Sequence, residues 1–283
     1  MNSEVEPHCS DGDRRLPAVP IDWPSAILLI LMSVMAILAF TWPLFAAPGG
    51  ILSYQVMAPF TMAAIIPVTL SCALVQISNA RMDVKDLAMW GVLTALGALS
   101  RPLGAGTAGV ETVFFLVVMG GRIFGPAFGF LLGNSVLFVS ALITGGVGPW
   151  LPYQMLGAAF YGLGAGLLPK RWRGALEIAA LAIYSAVMSF VFGILMDFSF
   201  WPFNLSYGSA GFDPAVGIVE NLHRFLIWNL ATGMGWNTGR AITNIVLVTL
   251  LGPAVLRILR RASRGYSFEK TDGQREKQHP SCQ

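Results

Sequence analysis

An all-α membrane protein with about eight transmembrane helices is the fold class this sequence predicts, and three observations predict it. Long apolar runs of helical length alternate with short loops between Trp23 and Val255. The chain is 55% hydrophobic and only 12% charged, with a mean hydropathy of +0.64, which is more apolar surface than a soluble core could hide. Almost every basic residue falls on alternate loops, the asymmetry that the positive-inside rule describes for a multipass chain.

A helix crossing the roughly 30 Å hydrocarbon core needs about 20 apolar residues. Such runs occur at 24–46, 54–77, 86–103, 109–124, 125–143, 152–169, 175–198 and 234–256. The first follows Arg14 and Arg15 and precedes Ala46 and Ala47, but it is longer than a signal-peptide core and reads as a retained span. The fourth and fifth are separated only by a turn at 120–126, and a long loop at about 199–219 follows the seventh. Segments 1–20 and 263–283 are polar and aperiodic and read as disordered tails.

With the N-terminus inside, the inner segments carry Arg14 and Arg15, Arg81 and Lys85, Arg122, the group Lys170, Arg171 and Arg173, and the basic tail from Arg257 onward. Only Arg101, Arg224 and Arg240 lie outside or within the membrane. Both termini are therefore expected in the cytoplasm of a cell (inner) membrane protein. The net charge of +3 reports topology and contact with the anionic lipid bilayer; nothing points to a nucleic-acid partner.

Several chemistries find no support. Cys9, Cys72 and Cys282 are far apart and suggest neither a disulfide framework nor a metal site. No phosphate-cradling loop ending in Gly-Lys-Ser/Thr is present, so active transport would need partners for its energy. His8, His223 and His279 fall in tails or an outer loop, and no nucleophile elbow or paired carboxylates accompany them. The chain reads as a binding protein without cofactor or catalytic centre.

On the third span Ala88, Gly91, Ala95 and Ala98 recur at intervals of three and four and share one side of a helix. Small residues so arranged let another helix approach closely, either inside the bundle or on a partner subunit.

Two segments carry a family resemblance: 121–134 (GRIFGPAFGFLLGN) and 146–169 (GVGPWLPYQMLGAAFYGLGAGLLP). A Gly-Pro-x-x-Gly turn between spans, followed by a Gly-Pro-Trp-x-Pro-x-Gln loop entering a small-residue helix, resembles the substrate-binding S component of energy-coupling factor (ECF) transporters of actinobacterial type. The segment 236–244 (WNTGRAITN) and the Leu-Gly-Pro-Ala-Val-Leu-Arg stretch ending at Arg257 resemble the group assigned to cobalamin. The resemblance covers roughly 85–262 and implies a six-helix core there, with 21–84 forming two additional N-terminal helices. It further implies that Ala88, Gly91, Ala95 and Ala98 dock on a transmembrane coupling protein that works with ATPase subunits, and that a vitamin, cobalamin foremost, is captured near the outer face.

Chemistry and the resemblance together place candidate ligand contacts at Arg101, at Trp150, Tyr153 and Gln154 on the next outer loop, and at Asp197 and Trp201, with Asn204, at the start of the long loop. Aromatic faces with a few amide and charged groups suit a bulky amphipathic ligand; each aromatic also fits the interfacial belt. On the last span Trp236, Arg240 and Asn244 recur every four residues, extended upward by Asn229 and Gly233, with Asn237 beside them. An arginine at that depth costs about 2.5 kcal/mol or more, which leaves a ligand contact, snorkelling or a pair with Asp197 as its explanations. Glu111 is read as a neutraliser of Arg101, and Arg122 as a topology determinant or a contact to the coupling subunit. A self-contained secondary transporter or another multipass membrane protein is the alternative.

Overall fold

The computed structural model describes residues 23–41, scattered positions between 60 and 75, and 84–263 apart from 105–106, 108, 204–209 and 214. Among the described residues all regular structure is helical. The helices are α1 (Trp23–Thr41), α2 (Val84–Ser100), α3 (Val113–Phe124), α4 (Pro126–Thr144), α5 (Leu151–Leu167), α6 (Ala175–Phe200), α7 (Ile218–Thr232) and α8 (Met234–Leu250), followed by α9 (Gly252–Ser263). Most of the expected second span at 54–77, both tails and Asn204 lie outside the described residues.

Among the described residues two helices, α4 and α6, are long and apolar enough to cross a membrane, and α8 with α9 makes a third if that pair, bent by 62°, is one span. The expected span at 109–124 shrinks to α3, whose 12 residues rise only about 18 Å. Its burial explains how it can be short: Val113, Phe114, Phe115, Val117, Val118, Met119 and Phe124 are all inside. A helix walled by protein need not reach both headgroup layers.

Close backbone approach builds this centre. Gly125 alone connects α3 to α4, at φ +105°, a conformation that other residues rarely adopt. Pro126 then opens α4 at its first turn, where its missing N–H costs nothing. A Cβ on Gly121 or Gly129 would strike the Gly162 carbonyl of α5, so the three helices meet on their glycines. That is how helices gain contact where lipid competes for apolar side chains.

The buried side of α6 carries a polar stripe beside Leu181, Ala182 and Phe192, and its outer side is apolar. Ser185, Ser189 and Gly193 are buried, whereas Ile183, Val187, Val191 and Ile194 are exposed at helical spacing. α8 repeats the pattern, with Asn237, Arg240 and Asn244 inside and Ile242, Ile245, Val246 and Leu250 exposed. Such surfaces are compatible with a lipid surrounding.

The expected last span differs at both ends. Helical hydrogen bonds pass through Gly233, from its N–H to Asn229 and to its carbonyl from Asn237, so the helix extends back to Ile218 as α7 and part of the expected loop is helical. At Leu251 the chain bends into α9.

Candidate functional site

The facing sides of α6 and α8 form a polar seam. On α6 it comprises Ser185, Ser189, Gly193 and Asp197, four residues apart, hence on one face. Opposite stand Asn229 at the end of α7 and Gly233, Asn237, Arg240 and Asn244. Gly193 lets the helices meet, because a Cβ there would occupy the position of the Asn237 carboxamide. Gly233 does the same for Asp197, whose carboxylate accepts a 2.7 Å hydrogen bond from Asn229 Nδ2.

Arg240 is the centre of the seam and is 6% exposed. Its Nε and one terminal nitrogen donate to the two carboxylate oxygens of Glu111 at 2.9 and 3.1 Å. The other terminal nitrogen donates to the Ser189 carbonyl at 3.1 Å and to Asn237 Oδ1 at 3.0 Å. The guanidinium carbon lies 5.0 Å from the centroid of Phe192 and 5.9 Å from that of Phe114. A forked ion pair with every guanidinium nitrogen engaged is the geometry in which a buried charge is tolerated.

The loop before α3 delivers Glu111. Gly109, at φ +84°, lies against the backbone of α8 at Trp236 and Arg240, where any Cβ would collide. Pinned there, the chain places Glu111 two residues later over the guanidinium, with its side chain 32% exposed. Below the pair, Tyr161 of α5 donates to the Ser185 carbonyl at 2.5 Å, lies 3.1 Å from Ser189 Oγ, and stacks on Phe114 at 4.7 Å. Asn244 donates to the Arg240 carbonyl at 2.9 Å and is fully buried. Asn237 Nδ2, Asn244 Oδ1 and Ser185 Oγ have no protein partner, which marks the seam as polar beyond what its own groups satisfy.

The other candidates distribute as follows. Arg101, in a turn after α2, donates to Gln154 Oε1 at 2.9 Å at the same end of the bundle. Tyr153 is fully buried against Phe40 of α1, 5.5 Å between centroids, and so joins the extra N-terminal helix to the bundle. Trp201 is buried with Phe212 and Phe225 and donates to the Ala210 carbonyl at 2.9 Å. Trp150 and Trp236 are 49% and 48% exposed. Trp236 therefore leaves the Arg240 face and Asn237 takes its place; the face of α8 is rotated by one residue from the four-residue pattern.

Glu111 pairs directly with Arg240, which the sequence did not suggest, and its charge also acts on Arg101, the partner the sequence did suggest. Arg122 is buried, with Nε on Glu177 at 2.7 Å and its terminal nitrogens on the carbonyls of Leu168, Pro169 and Trp172, so it ties α3 to the α5–α6 connection and has no face for a partner. On α2, Ala88, Gly91 and Ala95 are exposed beside Val92 and Leu96, but Ala98 is fully buried.

Sequence reading missed Glu111 as the partner of Arg240, and also Ser185, Ser189, Tyr161 and Phe192. The four-residue spacing of Ser185, Ser189, Gly193 and Asp197 was the available signal. Among the described residues no cluster of histidine, cysteine and carboxylate side chains suits a metal ion. No protein-family model, curated protein or solved structure matches this chain.

Proposed function

We propose that the chain is the substrate-capturing membrane subunit of an ECF-type importer, with the Glu111 end of the bundle outward and both termini cytoplasmic. The observation that carries this reading is the α6–α8 seam, where an intramembrane arginine is held by a partly exposed carboxylate. Intramembrane charges of this kind mark substrate pathways. Arg101, Gln154, Asp197, Asn229 and Glu111 offer charged and amide groups at the end where α2 stops and α6 and α7 meet. Arg240 is internally satisfied, so ligand contact falls first on these residues. The resemblance at 121–134 and 146–169 supplies the class and cobalamin as the leading ligand. In this reading the count is eight spans, the last six forming the S-component core. Ala88, Gly91 and Ala95 face the coupling protein, and ATPase partners supply the differential binding energy that release requires.

The test is calorimetric titration of the purified protein in detergent with cobalamin, cobinamide and a panel of smaller vitamins. Tight one-to-one binding of a corrinoid is expected. Binding of a different vitamin would keep the class and change the ligand, whereas a folded sample that binds none would remove the capture role.

A second reading, a self-contained carrier, is favoured by Glu111 and Asp197, carboxylates beside an intramembrane arginine. Uptake by vesicles containing this chain alone, without ATP or partners, would establish it.

A further inference from the structure

The end of the bundle opposite Glu111 gathers cations around one carboxylate. Glu177, buried in the first turn of α6, accepts from Arg122 Nε at 2.7 Å and from Arg260 of α9 at 2.6 Å. Both of its oxygens are engaged, Oε2 by the same Arg260 nitrogen. Lys170, Arg171, Arg257 and Arg261 surround this triad in sequence, all are exposed, and none has a carboxylate within ion-pair reach among the described residues. Partial desolvation, and then the charge of Arg122, hold the Lys170 ammonium below its ordinary value. The cluster therefore carries excess positive charge that its own carboxylate cannot neutralise.

The surroundings specify what neutralises it. Leu167 and Leu176 are exposed at the ends of α5 and α6 that flank Lys170 and Arg171. Leu250, Leu251 and Ile258 are exposed beside Arg257 and Arg261. The 62° bend before α9 turns this helix away from the axis of α8, so its basic residues and Ile258 run along the end of the bundle. A soluble anion would leave these apolar side chains in water, whereas a phosphodiester carrying acyl chains covers both kinds of surface.

We propose that α9 and the 168–174 connection form a site for an anionic phospholipid, its phosphate on Lys170, Arg171 and the exposed edge of Arg260, and its acyl chains against Leu167 and Leu176. The proposal requires that the bundle lie in a bilayer and is independent of what the Glu111 end binds. Trp172 lies inside the proposed site and reports on it.

The experiment places the full chain in phosphatidylcholine vesicles containing a minor fraction of brominated phosphatidylglycerol or, separately, brominated phosphatidylcholine, and follows tryptophan quenching. Greater quenching by the anionic lipid is expected, and Trp172→Phe should remove the excess. In K170Q/R171Q the preference should weaken by about fivefold per cation removed, while R224Q, a change at the opposite end, leaves it intact. Thermal unfolding in uncharged detergent gives an independent readout, in which phosphatidylglycerol stabilises and inorganic phosphate does not. Equal quenching by the two lipids, an unchanged preference in K170Q/R171Q, or full stabilisation by phosphate alone would overturn the proposal.

Discussion

Arg240 and Glu111 stabilise the fold through each other, and removing one strands the other. Glu111→Gln leaves a buried guanidinium without its counter-charge, and a loss of about 3 kcal/mol is expected. Replacing both together, Glu111→Leu with Arg240→Met, should recover more than half of that loss, because an apolar pair of similar volume avoids desolvating two ions. Equilibrium unfolding in mixed micelles reads both outcomes, and a double variant as unstable as the single one would show that the pair's hydrogen bonds matter more than its charges. For ligand binding, Arg240→Ala is expected to weaken affinity in calorimetry, and Arg101→Ala, which removes the contact to Gln154 and the attraction to Glu111, should do so with a smaller loss of stability than Arg240→Ala. Arg240 was legible as an anomaly from its depth in an apolar run. Its partner was not, since 129 residues separate the two and no local pattern links a loop carboxylate to a distant helix.

Helix faces were legible to within one residue, and that margin decides which side chains enter the seam. A four-residue repeat drifts around a helix of 3.6 residues per turn, so Trp236 rotates outward while Asn237 and Arg240 stay in. On α2 the intervals of three and four keep the stripe on one side, with Ala98 only about 20° around from Gly91, yet Ala98 is buried while Ala88, Gly91 and Ala95 stay exposed. Two substitutions on that helix should consequently part ways. Ala95→Leu is expected to fold normally and to abolish co-purification with a coupling protein, whereas Ala98→Leu should overpack the bundle by about 1–3 kcal/mol and lower its melting temperature. If Ala95→Leu still co-purifies, α2 is not the docking helix. Between α6 and α8 the tight point is Gly193 against Asn237. Gly193→Ala should destabilise, and adding Asn237→Ala should return part of the loss by removing the side chain that the new methyl meets.

As a whole molecule the chain is fastened differently at its two ends. One end is held by Glu111 on Arg240, the other by Glu177 bridging Arg122 and Arg260. Glu177→Gln should release α9 and also strand the buried Arg122 guanidinium, which would show as faster limited proteolysis after Arg257 and Arg261 together with a lowered melting temperature. The all-helical class was legible from apolar run lengths, but the run lengths overstated α3, because hydrophobicity alone does not distinguish a helix that faces lipid from one enclosed by protein. That short central helix constrains biosynthesis. A nascent chain ending just after Gly125 would present the insertion machinery with 12 residues where a bilayer needs about 20, and α3 would slip back out. Once α4 and α5 have emerged, their glycine-lined faces give α3 a protein environment. Glycosylation mapping of nascent chains of increasing length should therefore show α3 entering the membrane late, as cargo of the helices that follow it.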